Sequence, residues 1–423
     1  MLVWQVINIA LIFWLLLPCV LVILTCIARL KAKNIAFLNT EKLSVHTTRS
    51  IHTTQVTQAD FACIITAHKN FDICLPLIQS LLQQQYDKFH IYIVADDCVN
   101  LEQFTPNERV HLIVPQTPLA SKVRSLKAAS QQFIRKHDYV SVFDADNTAA
   151  PNFLNIINTY IQQGFVAIQG KRTAHNLDTI YACADATGEI YKNYIERLAP
   201  FVLGSSASIA GSGMAVRSDL FNAFLDSPAV VNRIKRGEAV SAEDKLLQYF
   251  LLNQNLRIAY ASQALIYDEK VREAAQVKRQ RTRWLFAYFD NLPAAARLIP
   301  KGMTNLSINQ LLFGVMAIYP PLFLLLTAAV AGLFLQTIFY CLAITPPCFP
   351  TNPSATIKAV LLLATSITIF IVNILFTLWL SKAPRQIWHS LWGIPLFVAQ
   401  QAAALVKINK AKHDFMPTQH KKM

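Results

Sequence analysis

The chain has 423 residues, of which 53% are hydrophobic and 15% are charged, and its formal net charge is +14. This length allows one large or two ordinary domains, and the composition is too apolar for an ordinary soluble enzyme. The apolar excess lies at both ends, and the basic residues cluster beside it. Anionic lipid and positive-inside topology therefore explain the charge, and no DNA- or RNA-binding motif points to nucleic acid.

The first apolar run, Leu2 to Leu30, is long enough to span a bilayer. It lacks the basic start and the small-x-small cleavage site of a signal peptide. Because basic residues follow the run and none precedes it, we expect the amino terminus outside and the next domain in the cytoplasm. Residues 31–59 are rich in Thr, His, Ser and Gln, which predicts a linker.

Strand and helix patterns alternate from Asp60 onward. Strands are predicted at 61–67, 90–95, 111–114 and 165–169 and in the run from Tyr139, and helices at 75–85, 121–136 and 152–163. This alternation predicts an α/β domain over residues 60–300, with a largely parallel sheet and helices on both faces. Ligands of such sheets bind at the carboxyl ends of the strands.

Two pairs of carboxylates follow predicted strands. Asp96 and Asp97 end one strand, and Asp144 and Asp146 end another, so one cleft can hold all four. Side chains two positions apart on an extended chain point to the same side, and neighbouring carboxylates repel unless a cation lies between them. Mg²⁺ or Mn²⁺ fits Asp144 and Asp146 and can hold a diphosphate leaving group. The alternative is a strand followed by a polar turn that caps the next helix.

The carboxy-terminal part is again apolar. Residues 311–342 form one run, with a bend expected at Pro320-Pro321, and residues 360–380 form a second. Basic residues flank this pair on both sides, so both flanks are expected in the cytoplasm. Residues 301–381 are therefore predicted to hold two transmembrane helices joined by a short outer loop.

The last segment, residues 382–423, is less regular. A third carboxy-terminal span would put its basic tail outside. We therefore prefer an interfacial helix anchored by Trp388 and Trp392, followed by a cytoplasmic tail.

The eight cysteines show no Cys-x-x-Cys motif and no zinc spacing. Cys341 and Cys348 fall in the predicted outer loop. A disulfide in an oxidising compartment and two free thiols are both open readings.

Four short motifs occur in a fixed order: Asp96-Asp97, Asp144-Ala-Asp146, Ala242-Glu-Asp244 and Gln280-Arg-Thr-Arg283-Trp284. Together they resemble the family 2 glycosyltransferases, and more closely the membrane-bound branch of cellulose, chitin, hyaluronan and poly-N-acetylglucosamine synthases. The resemblance covers about residues 60–290. It implies a GT-A-like fold with transmembrane helices at both ends and an inverting enzyme that uses a nucleotide sugar, most simply a UDP-sugar, with Mg²⁺ or Mn²⁺.

The resemblance also implies a nucleotide site. Asp96 and Asp97 would flank the base and the ribose, and Asp144 and Asp146 would bind the diphosphate and its metal, Asp146 more directly. Lys122 stands where the family often has a Gly-Lys pair that touches the nucleotide, although Ser121 replaces the glycine here. The alternative for Lys122 is a solvated helix lysine.

The remaining motifs are expected at the reaction centre. By resemblance, Asp244, with Glu243 beside it, would be the general base for the acceptor hydroxyl, which is a poor nucleophile on its own. The spacing of Gln280, Arg283 and Trp284 puts them on one helix face, where Trp can stack on a sugar. The alternatives are helix-N-terminal acids stabilised by the dipole and an interfacial helix with snorkelling arginines.

A glycine-containing segment is a further candidate. In the family a similar segment lines the acceptor site, and Gly211, Ser212 and Gly213 would do so here by close backbone approach to a sugar. A simple loop is the alternative.

The function expected from these signals is sugar transfer to a growing polysaccharide at the cytoplasmic face of a membrane, such as a bacterial inner membrane. About three spans make a self-contained channel doubtful, unless the protein forms an oligomer or has a partner subunit. Transfer of one sugar to a lipid carrier or membrane lipid therefore remains open. A transporter or a scaffold is the alternative of another class, although the only charged residue within a predicted span is Arg29, at the end of the first run.

Overall fold

In the computed structural model the described residues are 2–43, 58–236, 242–341, 353–394 and 398. The strands are β1 (Phe61–Asn70), β2 (Phe89–Val99), β3 (Val110–Ile113), β4 (Tyr139–Asp144), β5 (Thr148–Ala149), β6 (Ala167–Ala174), β7 (Met214–Arg217) and β8 (Ile258–Asp268). The helices are α1 (Leu2–Leu43), α2 (Leu75–Leu82), α3 (Lys122–Ser130), α4 (Phe153–Gln162), α5 (Ile180–Lys192), α6 (Ala199–Val202), α7 (Ser218–Leu225), α8 (Pro228–Lys235), α9 (Glu243–Asn253), α10 (Ala274–Thr304), α11 (Ile308–Ala317), α12 (Leu322–Cys341), α13 (Pro353–Leu380) and α14 (Arg385–Ser390). A π-helix, Asn193–Leu198, joins α5 to α6.

The strands form one sheet in the order β3-β2-β1-β4-β7-β6-β8-β5. The pairs β1–β2, β1–β4, β2–β3 and β6–β8 are parallel, whereas β7 runs antiparallel to both of its neighbours and β5 antiparallel to β8. The predicted α/β architecture is confirmed. The sheet is mixed, because β7 returns through its middle.

Alternating side chains of the central strands fill a core on each face of the sheet. Ile64 and its β2 partner Tyr92 lie in the core covered by α3, α7 and α9. Ile65 and its partner Ile93 lie in the opposite core, covered by α2 and α4. The period of two along a strand explains this division, and both faces are covered as predicted.

The carboxyl ends of β1, β2 and β4 meet at one edge of the sheet. His68 of β1 stands opposite Asp96, and Thr66 stands opposite Asp144. Strand β2 continues to Val99, past the predicted end, so Asp96 and Asp97 lie within it. This edge therefore places the two acidic motifs on neighbouring strands around β1.

Two helices are long and apolar enough to cross a membrane in the described part of the chain, Trp4–Ala32 and Thr356–Leu380. A bent pair, Ile308–Ala317 and Leu322–Ile338, would make a third if it counts as one span, and its 62° bend lies at the predicted Pro320-Pro321 break. The multi-pass topology and its orientation remain predictions.

Several boundaries differ from the sequence-based expectation. Helix α1 continues to Leu43, into the predicted linker, and the rest of that linker, 44–57, lies outside the described residues. Cys341 is exposed, whereas Cys348 lies outside the described part, so the disulfide is untested. The predicted interfacial helix is described only to 394 and at 398; Trp392 is 94% exposed there.

Candidate active site

Asp96 organises the loop that precedes α3. Its carboxylate is 2% exposed and accepts hydrogen bonds from the backbone N–H groups of Leu119 (2.6 Å) and Ala120 (2.9 Å). His68 Nδ1 lies 3.1 Å from the same carboxylate. Hydrogen bonds to an ionised acceptor are about twice as strong as neutral ones, so Asp96 holds this loop against β2. Lys122, the first residue of α3, is positioned as a result.

Asp97 does not share the buried position of Asp96. Its side chain is 46% exposed and pairs with Lys69, with Nζ 3.0 Å from Oδ2. Its φ of 53° is in the left-handed region, which turns the chain away from the strand path. Asp97 is therefore not among the residues that line the cavity described below.

Lys122 joins three parts of the site. Its Nζ lies 2.6 Å from Oδ1 of Asp144, 2.8 Å from the carbonyl oxygen of Gly211 and 3.1 Å from Oε1 of Glu243. Burial alone would lower the pKa of Lys122, but the two carboxylates raise it above its usual range. The ammonium therefore stays charged, and the solvated-lysine alternative is wrong.

The pKa values of the two carboxylates around Lys122 are shifted in opposite directions. Burial alone would raise the pKa of Asp144, but Lys122 and Arg172 lower it below the usual value. Burial raises the pKa of Glu243, and the attraction of Lys122 offsets only part of that effect. Asp144 is thus held ionised, whereas Glu243 protonates more readily than an ordinary glutamate.

Ser212 connects the glycine-containing segment to the turn after β4. The backbone N–H of Asp144 donates to Ser212 Oγ over 3.0 Å, and the Ser212 hydroxyl also bonds to Oδ1 of Asn147. Asn147 Nδ2 in turn donates to Oδ1 of Asp146 over 3.0 Å. The turn that carries both motif aspartates is therefore fixed by side-chain hydrogen bonds.

The two glycines of that segment serve different purposes. Both have positive φ, 77° at Gly211 and 62° at Gly213. A β-carbon at Gly211 would lie 3.6 Å from Lys122 Nζ and 3.7 Å from Cβ of Asp244, so Gly211 belongs to the reaction centre. A β-carbon at Gly213 would lie 2.5 Å from Cγ1 of Ile266, so Gly213 packs beneath it.

One cavity of about 1160 Å³ joins the motifs. The predicted site residues along its lining are Asp96, Lys122, Asp144, Asp146, Gly211, Glu243, Asp244, Gln280, Arg283 and Trp284. The predicted residues outside its lining are Asp97, Ser212 and Gly213. The geometry brings most of the motifs together, and their individual roles remain predictions.

The cavity continues toward helices α11 and α12. Part of its lining is apolar and comes from α11, the bend before α12 and the start of α12, including Met316, Pro320, Leu322, Phe323 and Leu326. The lining therefore changes from charged to apolar along one continuous space. The same space can take a charged donor at one end and an apolar group at the other.

The Gln-x-x-Arg-Trp motif lies on α10, as the spacing predicts. The Trp284 ring has the Arg281 guanidinium 4.4 Å and the Lys192 ammonium 5.0 Å from its centre. Arg281 is 9% exposed and paired with Asp185, so it does not snorkel to a membrane surface. Desolvated cations over an aromatic face contribute about 2 kcal/mol each, which fixes the Trp284 ring.

A buried ion-pair network behind the motifs was not predicted from the sequence. Arg172 pairs with Asp268 (2.5 Å), Lys270 with the same carboxylate (3.0 Å), and Arg197 with Glu189 (2.8 Å). Lys270 also lies 3.9 Å from Glu189. All five line the cavity. The only sequence signal for this network is that charged residues occur within strand and helix patterns. The helix that carries Glu189 was not predicted.

The described residues contain no group of three or more His, Cys, Asp or Glu side chains able to hold a metal by themselves. Asp144 and Asp146, on one turn, are the candidate ligands. Mg²⁺ is usually held by one or two carboxylates together with substrate phosphates. This donor set therefore fits a metal ion that binds together with a diphosphate.

The fold is that of a GT-A-like glycosyltransferase. Residues 58–287, more than half of the chain, match the family described as "Glycosyltransferase like family 2". The chain belongs to this family and is a glycosyltransferase, which argues against the transporter and scaffold alternatives.

Three solved structures are similar to this chain, and the first of them supports the fold. The mannosyltransferase PcManGT from Pyrobaculum calidifontis, solved with GDP-Man and Mn²⁺, is 14% identical with a TM-score of 0.51; the match covers 93% of this chain and 99% of that one. S. aureus TarS is 14% identical with a TM-score of 0.38, over 57% of this chain and 40% of TarS. TarS 1-349 in complex with UDP is 13% identical with a TM-score of 0.39, over 83% and 90%. No curated protein matches the chain.

Proposed function

We propose that this enzyme transfers a sugar, with inversion, from a nucleoside diphosphate sugar to a hydroxyl of a lipid-borne acceptor at the membrane. The observation that carries the proposal is the single cavity that runs from the Lys122–Asp144–Glu243 cluster to the apolar wall near α12. Nucleotide-sugar transfer follows from the family. A UDP-sugar is the donor implied by the motifs, although the PcManGT complex contains GDP-Man.

Asp244 is the proposed base. It begins α9 beside Glu243, lines the cavity, and lies against Gly211. The acceptor oxygen would attack the anomeric carbon while Asp244 takes its proton. The bond from that carbon to the diphosphate breaks, and its electron pair leaves with the nucleoside diphosphate. Attack opposite to the leaving group inverts the anomeric configuration.

The departing diphosphate needs positive charge. Lys122 and Arg283 line the same end of the cavity, and Arg283 acts electrostatically on Asp144. Preorganised cations in a partly desolvated site stabilise developing negative charge. Asp144 and Asp146 would hold Mg²⁺ or Mn²⁺, which would neutralise part of the diphosphate charge when bound.

The apolar wall favours a lipid-borne acceptor over a free sugar. The residues opposite the charged end include Leu322, Phe323 and Leu326, which offer no hydrogen bonds to a carbohydrate. A growing polysaccharide is the second candidate, favoured by Gln280, Arg283 and Trp284 along the cavity. In either case we place the reaction at the cytoplasmic face, following the charge bias of the sequence.

The experiment is release of UDP by the detergent-purified protein, with a panel of UDP-sugars, a membrane-lipid extract and Mg²⁺ or Mn²⁺. Asp244→Asn should abolish turnover and keep UDP binding, whereas Asp146→Ala and a chelator should weaken both. Asp219→Asn is the control, because Asp219 is 63% exposed and paired with Arg217. Absence of both UDP binding and release from every donor would contradict the proposal.

Product analysis separates the two acceptor classes. A labelled sugar that partitions into organic solvent at the mass of one addition supports the lipid acceptor. A labelled polymer retained by size exclusion would instead establish the polysaccharide candidate.

A further inference from the structure

Lys192 is a cation inside the cavity that has no carboxylate at ion-pair distance among the described residues. It is the last residue of α5, lines the cavity, and has its Nζ 5.0 Å from the centre of the Trp284 ring. Among the described residues it forms no ion pair and no hydrogen bond. Burial lowers its pKa, and the nearby Arg281 and Lys245 add to that effect, while Glu196 and Glu189 oppose it.

Four other enclosed cations of this region differ from Lys192. Arg172, Arg197, Lys270 and Arg281 are each paired with a carboxylate within the described residues. An enclosed charge without a partner is costly unless a ligand supplies one. Lys192 and Lys245 both line the cavity without an ion pair among the described residues, and Lys192 also lies over the Trp284 ring, where an incoming anion would supply its partner.

Tyr319 supplies a second unsatisfied group. It is 9% exposed, lines the cavity just before the Pro320-Pro321 bend, and its hydroxyl has no hydrogen-bond partner in the described part. Tyr191 and Ile195, which flank Lys192 along the chain, belong to the same buried cluster as Tyr319. A charged donor and a neutral donor thus line one cavity, and Tyr319 stands in the chain just before the apolar lining residues Leu322 and Phe323.

We infer that Lys192 and Tyr319 bind a phosphate group of the lipid acceptor, whose apolar chain lies along the wall formed by Leu322, Phe323 and Leu326. This inference rests on the proposed function and specifies its acceptor as an anionic lipid that also carries the reacting hydroxyl. Glu196 lines the same cavity and opposes an anion there. Lys192 therefore attracts the phosphate group, and Glu196 repels it.

The test uses two probes that differ in the phosphate, oleoyl lysophosphatidic acid and monoolein. Their dissociation constants are measured by titration calorimetry on the full chain in detergent, with UDP and inorganic phosphate as separate ligands. The wild type should bind lysophosphatidic acid at least about tenfold more tightly than monoolein, as expected for one charged contact. Inorganic phosphate alone should bind weakly, because it lacks the apolar chain.

Variants assign the effect to the residues. Lys192→Met should remove the preference with UDP affinity unchanged, Lys192→Arg should keep it, and Glu196→Gln should increase it. Tyr319→Phe should reduce the preference in part. Lys127→Met is the control, because Lys127 pairs with Asp226 outside the cavity. An unchanged melting temperature shows that the variants fold.

The failures are distinguishable. Equal affinity for both lipids in a protein that binds UDP overturns this inference and leaves the proposed function standing. Loss of UDP affinity in folded Lys192→Met would assign Lys192 to the donor and also overturns it. If inorganic phosphate binds as tightly as lysophosphatidic acid, the inference that the bound phosphate belongs to a lipid is overturned. A wild type that fails to bind UDP and releases none from any donor contradicts the proposed function itself.

Discussion

The Lys122 ammonium lies 2.6 Å from Oδ1 of Asp144, and the same nitrogen lies 3.1 Å from Oε1 of Glu243. One cation therefore links the end of β4 to the start of α9, two elements far apart in sequence. A positive charge between two carboxylates offsets their repulsion, which would otherwise favour protonation of one of them. The position of Lys122 thus couples the proposed diphosphate site to the proposed base.

The first prediction concerns Lys122→Met. Loss of one charge-assisted contact with the diphosphate should lower kcat/KM for the nucleotide sugar about 10- to 100-fold. UDP affinity should fall as well, because UDP retains the diphosphate. Steady-state kinetics and a UDP titration measure the two effects.

Lys127→Met, on the same helix and paired with Asp226 outside the cavity, is the matched control for this prediction. Its kcat/KM should remain within about twofold of wild type, as for a surface substitution. An equal loss in both variants would show that helix α3, and not the Lys122 ammonium, is responsible.

Much of the fold could be predicted because its signals are local. Alternating apolar patterns predicted β1, β2 and β4 and the helices that cover them. Strand β7 was missed, since its four residues, Met214–Arg217, are too few to show a period, and its position depends on pairing with β4 and β6. Helix α1 passes its predicted end because helix propagation does not require apolar residues.

The site residues could be predicted from the sequence where they stand in short motifs. Asp144, Asp244 and Trp284 stand in such motifs and line one cavity. Lys192 and Glu189 could not be recognised, because an isolated charge on a helix is usually solvated. Only the tertiary packing of α5 against α10 and α13 encloses them.

Gly213→Ala is predicted to destabilise the fold. The new β-carbon would meet Cγ1 of fully buried Ile266 at 2.5 Å, and the φ of 62° disfavours any side chain. Overpacking and the left-handed backbone together should cost about 2–4 kcal/mol. Gly164→Ala is the control, because Gly164 has a φ of 88° and nothing within 4 Å of the added carbon.

Thermal unfolding in detergent compares the two alanine variants. Gly164→Ala should show the backbone cost alone, about 1–2 kcal/mol. Equal loss in both would mean that the contact with Ile266 relaxes without cost.

Arg197→Met is predicted to destabilise the fold through Glu189. Arg197 donates to Glu189 Oε1 over 2.8 Å and to Asn193 Oδ1 over 2.6 Å, and its side chain is 5% exposed. Burial alone would raise the pKa of Glu189, but Arg197 and Lys270 hold it below the usual range. Removal of Arg197 takes away the closest cation of Glu189 and leaves Lys270 at 3.9 Å, which should cost about 3 kcal/mol.

The double variant Glu189→Gln, Arg197→Met separates the charge from the packing. It should recover part of the loss, because no unpaired carboxylate remains. If the two residues act independently, the losses of stability in the two single variants should add up in the double variant. That outcome would contradict the prediction.

A histidine cluster at the opposite end of the strands should make stability pH-dependent. His90 Nδ1 lies 2.9 Å from Nε2 of His111, and His137 lies beside Asp60, with Nδ1 2.8 Å from Oδ1. Burial lowers the pKa of His90 to about 4, and Arg135, His111 and His137 add to this effect. Burial also lowers the pKa of His111.

Because the folded pKa of His90 lies below its ordinary value of 6.5, the unfolded state binds more protons between about pH 4 and 6.5. Stability from this group is therefore present above that window and is lost as pH falls through it. The wild-type melting temperature should fall between pH 7 and pH 5, and His90→Gln should reduce that fall by about 2–4 °C. His175→Gln, at an exposed position, should follow the wild type. Identical pH profiles for wild type and His90→Gln would show that other groups, such as Asp60, account for the acid sensitivity.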